Sequence, residues 1–413
     1  MVSRIQEISF SILLLRVRVS VLRALLLPLS VIALLAFAVI GQRLRLLLMP
    51  LNVSRVGHLG VDAEYALSEI DRDSSRSQTR LIAVPIRVDL PVANHALLRA
   101  WKDCMWWIPG WLGGPMLWFF RLSEPGRRFV YSHPKRIAGR FDWGSDPYGV
   151  TADGISHLKF SATVRTQSIR QLQSMGLDFA RPIVCLHVRD DQYHNVHSGN
   201  AWREPHRWRN LELSVFELAA RSLASRGFQV VRLGVHTRES FAAADEVAIF
   251  DYARNGHRTD VLDVFLVSEC AFMISTGSGI DSLTQTFRKP LYNVGLIAPS
   301  QLYIHRRIYS ILQRFEHIET GRCLSLAESL ELPKISDHSL TSMGLRAIRN
   351  SAEEIAELAT EAAERFLGNW CPTEEDIDRQ NRFVALLPSE FRQFPIRGGI
   401  GSGFLRRHPE WLA

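Results

Sequence analysis

Paired cysteines are missing from this sequence. Its five, Cys104, Cys185, Cys270, Cys323 and Cys371, are scattered, odd in number and nowhere in CxxC spacing. That excludes a disulfide framework and a thiolate zinc ribbon, and it fits reduced thiols in a cytoplasmic protein. A basic nucleic-acid face is missing too. The formal net charge is +7, but six arginines against the single acid Glu7 put most of the excess in residues 1–50, so no nucleic-acid partner is expected. No Gly-Lys-Ser/Thr completes a Walker loop, and no Gly-x-Ser-x-Gly elbow surrounds Ser278. His187, His194, His197 and His206 match no metal-ligand spacing, so no metal is expected. Apolar residues are not scarce: 46% hydrophobic and 22% charged are globular values, and 413 residues suit two domains with appendages.

One long uncharged run is present. Ala24 to Gln42 is apolar and just long enough to cross a bilayer. Arginines flank it on both sides and give no orientation, though they suit anionic head groups. A signal peptide fits poorly, because some twenty residues precede the run and no small-x-small cleavage site follows. Pro28 interrupts the helix, which suits a kinked span or a re-entrant, one-leaflet anchor. Residues 1–50 are therefore expected to be membrane-associated, contacting lipids at the cytoplasmic face of the inner membrane.

Residues 51–178 read as an acceptor-side α/β domain. Gly57 and Gly60 suit a loop around His58, and Leu81 to Val88 reads as a strand whose Pro85 points to an edge or bulge. Half of the ten tryptophans fall between Trp101 and Trp118, which suits sugar stacking, a lipid-linked acceptor, the membrane interface or an ordinary aromatic core.

Residues 179–335 carry the chemistry. Ile183 to Val188 reads as a strand buried on both faces, ending in Arg189, Asp190 and Asp191. Ligands of open α/β sheets bind at such strand ends. Arg189 offers a donor fork suited to phosphate, while His187 and the two aspartates could handle a proton. A solvated charged turn is the plain alternative. Strands and helices then alternate, as in a parallel βαβ sheet. Ser275-Thr-Gly-Ser-Gly279 follows one strand and is expected to open a helix through Phe287, presenting N–H groups to an anion. A structural cap is the alternative there. Residues 336–413 hold two capped helices, Ser351 to Leu367 and Thr373 to Leu387, expected to brace the first domain. Gly399-Ile-Gly-Ser-Gly403 has too little chain after it for a dinucleotide-binding unit.

Together His187-Val-Arg-Asp-Asp191, Tyr252…Arg258-Thr-Asp260…Asp263, Ser275–Gly279 with Phe287-Arg-Lys-Pro290, and the end segments Asn52–His58 and Ser402–Leu412 resemble a family of bacterial proteins assigned as glycosyltransferases and found with surface-polysaccharide genes. The likeness covers almost everything after residue 50. More distantly the chain is similar to two-domain (GT-B type) fucosyltransferases, whose His-x-Arg motif also ends a strand. Those enzymes often carry a second arginine where this chain has Asp190, so a guanosine donor and fucose do not follow.

The resemblance implies two facing Rossmann-like domains and transfer of a sugar from a nucleotide-sugar donor to a saccharide or lipid-linked acceptor. Arg189 would contact the donor diphosphate, joined by Ser275, Thr276, Gly277, Ser278 and Gly279. Asp190 or Asp191 would act as base, Asp260 would hold ribose or sugar hydroxyls, and no cofactor or metal would be needed. The rivals are transfer of a pyruvyl or phosphoryl group to the same polysaccharides, and a non-catalytic membrane-bound saccharide scaffold.

Overall fold

Leu46–Asn52 (β1), Arg80–Ile86 (β2) and Trp106–Trp107 (β3) form a parallel sheet in the order β1-β2-β3. These come from a computed structural model describing residues 17–73, 78–132, 146, 148–189, 210–296, 302–332 and 337–413. The strands belong to the first of two units, Met1–His133 and Pro134–Ala413. That division lies ahead of the expected boundary at residue 178. Leu27–Ala36 (α1) precedes β1. Val56–Arg72 (α2) and His95–Cys104 (α3) connect the strands, and Gly110–Leu122 (α4) follows them. On the other side of β1, Val130 makes a parallel bridge to Leu48.

Three expectations change in this unit. Gly57, His58 and Gly60 lie within α2, not in a loop. The turn is made earlier, where Ser54 donates from its backbone N and its Oγ to Asn52 Oδ1 at 3.1 and 2.9 Å. Pro85 sits in the middle strand, not an edge. It is tolerated because β3 pairs only with Ile82 and Ala83 and stops short of it. The cut at residue 50 would sever β1. Phe37 packs edge-on against Phe120 and Phe129, with ring centroids 5.4 and 5.6 Å apart, so the apolar segment shares the unit's core.

That segment is not one helix. Val17–Leu25 and Leu27–Gly41 meet at a bend of 54°. Pro28, in the first turn of α1, has no N–H to close the bond to the carbonyl four residues back. The second helix ends as a π turn, Phe37–Gly41. Among the described residues no single helix is long and apolar enough to cross a membrane; only the bent pair qualifies. The aromatic run divides as well. Trp101 and Phe120 are buried, whereas Trp106 and Trp111 are 52% and 60% exposed.

In the second unit, Ala162–Ser174 (α5) leads into Ile183–His187 (β4). Gln229–Leu233 (β5), Ile249–Phe250 (β6), Phe272–Ser275 (β7), Leu291–Leu296 (β8), Ile308–Leu312 (β9) and, after an antiparallel pair Arg314–His317 (β10) and Leu345–Ile348 (β11), Gly399–Ile400 (β12) follow. Seven of these strands form one parallel sheet in the order β12-β9-β8-β7-β4-β5-β6. β6 is shorter than Val247 to Tyr252 because Asp251 turns to pair with the buried Arg232 at 3.1 Å. Glu217–Ser225 (α6) and Asp260–Glu269 (α7) fill the early crossovers.

The C-terminal helices belong to this sheet's own core. Ala352–Leu367 (α8) starts with a Ser351/Glu354 capping box and ends at Gly368 with φ 76°; Glu374–Leu386 (α9) starts with a Thr373/Asp376 box. Ile355, Leu358, Ala359, Ala362 and Ala363 of α8 join Phe383, Phe404 and strand residues such as Val184 and Ile274 in one apolar cluster. They serve as a layer of the second domain. Gly398 enters β12 under tight constraint, since a Cβ there would lie 2.0 Å from the Ile308 carbonyl oxygen and 2.7 Å from that of Arg306. Gly398→Ala is expected to destabilise the protein by about 1–3 kcal/mol or more, read as a lower urea midpoint.

Candidate active site at the strand-order reversal

From β4 the chain builds outward through β5 and β6, then returns to place β7 on the other side of β4. Neighbouring loops must part at the carboxyl ends of β4 and β7, and open α/β sheets bind ligands in that crevice. Both segments singled out in the sequence end there. His187 and Ser275 are register partners. Thr276 donates its N–H to the His187 carbonyl at 3.2 Å. The Arg189 N–H donates to Thr276 Oγ1 at 2.9 Å. His187 Nδ1 lies 3.1 Å from the Leu233 carbonyl, which can only accept, so Nδ1 carries a proton in that bond. Asp190 and Asp191 lie outside the described residues, as do His194, His197 and His206.

The Ser275–Gly279 loop does not open a helix through Phe287. Residues 279–282 are turns, and the only helical piece is the single turn Leu283–Thr286. Asp281 supplies the reason. Its Oδ2 accepts from Ser275 Oγ at 2.8 Å and from the Ser278 N–H at 2.6 Å, while Thr284 Oγ1 donates to its carbonyl at 2.6 Å. Short polar side chains that bond nearby backbone in this way compete with a helix. The loop is therefore fixed by a carboxylate from within the chain, a role the sequence reading missed. Gly277, at φ 81°, takes the left-handed turn that follows Thr276. Ser278 Oγ is buried and has no hydrogen-bond partner among the described residues. Such a group in a crevice calls for an explanation, and a bound ligand is one.

A polar row also escaped the sequence reading. Ser275 pairs in register with Asn293 of β8, and Asn293 with Ser310 of β9. All three are buried, and Asn293 Oδ1 and Ser310 Oγ have no hydrogen-bond partner among the described residues. The available signal was a polar residue interrupting each of two apolar strands.

Asp260 opens α7, and a crossover helix between parallel strands starts on the carboxyl edge of the sheet, the same edge as Arg189. Arg258 lies 3.6 Å from Asp260 and 2.5 Å from Asp263. Tyr252 closes the cluster, its hydroxyl accepting the Thr259 N–H at 3.0 Å. A cavity of about 20 Å³ lined by Gln285, Arg288, Lys289, Arg306 and Arg307 sits near the starts of β8 and β9; it has room for about one water. Among the described residues no group of three or more His, Cys, Asp or Glu side chains is placed to hold a metal.

No protein-family model and no curated protein matches the chain. Among solved structures it is similar to the ADP-heptose lipopolysaccharide heptosyltransferase II of Escherichia coli, at 15% identity over 65% of this chain and 90% of that one, with a TM-score of 0.38. It is also similar to a family 9 glycosyltransferase of Veillonella parvula, at 10% identity over 65% and 86%, TM-score 0.42. A third likeness is the dodecameric iron-containing heptosyltransferase TibC of enterotoxigenic E. coli, solved with ADP-D-beta-D-heptose, at 13% identity over 63% and 60%, TM-score 0.29. The structure itself establishes an α/β fold with two parallel sheets among the described residues.

Burial raises the Asp263 carboxyl from 3.8 to about 6, outweighing the nearby Arg258 guanidinium. The folded chain then holds a proton there that the unfolded chain releases near pH 4. Stability is expected to fall as pH rises from about 4 to 6, by up to about 3 kcal/mol from this group. Urea unfolding across that window checks it: Asp263→Asn should flatten the slope, and an unchanged slope would assign the titration elsewhere.

Proposed function

We propose that the protein is a glycosyltransferase of the two-domain GT-B type, moving a sugar from a nucleotide-sugar donor to a saccharide or lipid-linked acceptor in bacterial surface-polysaccharide biosynthesis. The observation that supports this reading is the Arg189–Thr276 link, which seats an arginine and a polar, glycine-bearing loop at one strand-order reversal. In this reading Arg189 and the Ser278 hydroxyl meet the donor diphosphate, and the guanidinium neutralises the charge that develops on the leaving group. Gly277 and Gly279 keep side chains out of the approach. His187 or one of the aspartates Asp190 and Asp191 takes the acceptor proton, and Asp260 binds ribose or sugar hydroxyls. The guanidinium occupies the place a divalent ion would otherwise serve, so transfer proceeds without a metal. The apolar N-terminal helices hold the enzyme at the cytoplasmic face of the inner membrane.

The test uses the full chain in detergent, since removal of residues 1–50 would cut away most of β1. A nucleoside diphosphate should raise the melting temperature, and Arg189→Ala should weaken its binding by about 1.5–3 kcal/mol, roughly 10- to 100-fold in Kd. If no nucleotide stabilises the protein, the transferase reading fails. Stabilisation without turnover over a panel of sugar donors would leave the saccharide scaffold, and turnover with a pyruvyl or phosphoryl donor would reassign the group transferred. Chelation should leave sugar transfer unchanged; activity abolished by a chelator and restored by a divalent ion would overturn metal independence.

A further inference from the structure

A groove of about 520 Å³ opens in the first unit, lined among others by Gln42, Arg45, Leu47, Thr79, Arg128 and Ser132. Its volume is in the range of ligand sites. Among the described residues, its lining includes two arginines and no acid. Leu46 and Leu47 begin β1, and Thr79 precedes β2, so the groove lies at the amino edge of the sheet. The Asn52–Arg55 turn lies at the opposite, carboxyl edge, where ligands of parallel sheets are handled. The groove is thus ill placed for group transfer and well placed for what lies beneath the helices that lead into it.

Those helices present an apolar surface. Leu25, Ile32, Leu35 and Val39 are 72, 62, 64 and 63% exposed, while Phe37 on the other side is buried against Phe120. Leu27–Gly41 rises only about 22 Å, less than the roughly 30 Å hydrocarbon core of a bilayer. With the 54° bend the pair suits one leaflet better than a span, and Arg18 and Arg23 of the first helix and Arg43 after the second are cations suited to anionic head groups. Two backbone irregularities lie where the helix meets the groove. Phe37–Gly41 is a π turn, and Arg45, a residue with a Cβ, takes φ 50°. Both features recur at binding sites, where the surrounding structure sustains the strain.

We propose that this groove binds the phosphate of a membrane-lipid head group, with Arg45 and Arg128 as its cationic walls, and so sets the depth and orientation of the enzyme on an anionic bilayer. This rests on the proposed membrane attachment but not on the proposed sugar transfer. The phosphate is an ester in a lipid, and the polar walls formed by Gln42, Thr79 and Ser132 suit its oxygens, while Leu47 meets the start of the chains.

The full-length protein is titrated with vesicles of phosphatidylcholine alone and of phosphatidylcholine with phosphatidylglycerol. Binding should be about tenfold or more tighter to the anionic vesicles. The double variant Arg45→Gln/Arg128→Gln should lose that preference and keep its binding to phosphatidylcholine, with an unchanged melting temperature. The control Arg18→Gln/Arg43→Gln, equally near the bilayer but not lining the groove, should retain most of it. Equal loss in the control would make the attraction diffuse surface charge and overturn the groove. Binding to both vesicles with no anionic preference would also overturn it while leaving attachment intact, and binding to neither would overturn attachment itself. Inorganic phosphate that abolished the preference at constant ionic strength would reassign the groove to free phosphate.

Discussion

The pairing of β7 against β4 is the constraint on which the candidate site depends. Had β7 continued the outward series beyond β6, three strand spacings, about 14 Å, would separate it from β4. The Arg189 N–H and Thr276 Oγ1 instead stand 2.9 Å apart, although 87 residues separate them in the chain. Nothing local in either segment requires this. It follows from the buried apolar runs of β4, β5 and β7, which are satisfied only when each has a neighbour on both sides and cover on both faces. The core chooses the strand order, and the strand order assembles the polar groups.

A second consequence concerns how the site is held. The expected anion site relied on a helix dipole at Ser275–Gly279, but that helix is absent and Asp281 bonds the loop from within. The polar groups of the loop and its neighbouring strands are thereby divided. The Ser278 amide is committed to Asp281, whereas the Ser278 hydroxyl in the loop, the acceptor Asn293 Oδ1 on β8 and Ser310 Oγ on β9 are not bonded among the described residues. A loop fixed by its own carboxylate is ordered before any ligand arrives, which lowers the ordering entropy that binding must meet. In the proposed donor site the electrostatic pull on an anion then rests on Arg189 more than on the backbone.

Much of this was legible in the sequence. The β4 run, the helices after Thr259 and Ser351 and the glycine at 368 came through because hydrophobic period and capping chemistry act within a few residues. The two halves of the site were legible as separate motifs, and only the resemblance joined them at one donor diphosphate, since register between distant strands has no local signature. Gly57 and Gly60 misled because glycine marks turns on average, while here Asn52 had already made the turn. The helix after Gly279 was overcalled for the opposite reason: Asp281 satisfies donors that a helix end would have presented. The C-terminal helices were legible as helices, but their packing on the second unit's own sheet was not, because an amphipathic pattern says that a face is buried without saying against what.

The N-terminal segment carries the same lesson furthest. Composition alone marks Ala24 to Gln42 as a separable membrane segment, but Phe37 completes an apolar cluster with Leu48, Val84, Phe120 and Phe129. Ser30 is buried with its hydroxyl returned to the Leu26 carbonyl at 2.9 Å, as a helix packed against protein requires. One side of the helix is thus a piece of the first unit's core, and the other leaves Ile32, Leu35 and Val39 exposed. A helix packed on that side cannot leave the protein without uncovering β1 and β2. In the proposed attachment, contact with a lipid surface and integrity of the first unit become one packing problem for the same fifteen-residue stretch, Leu27–Gly41.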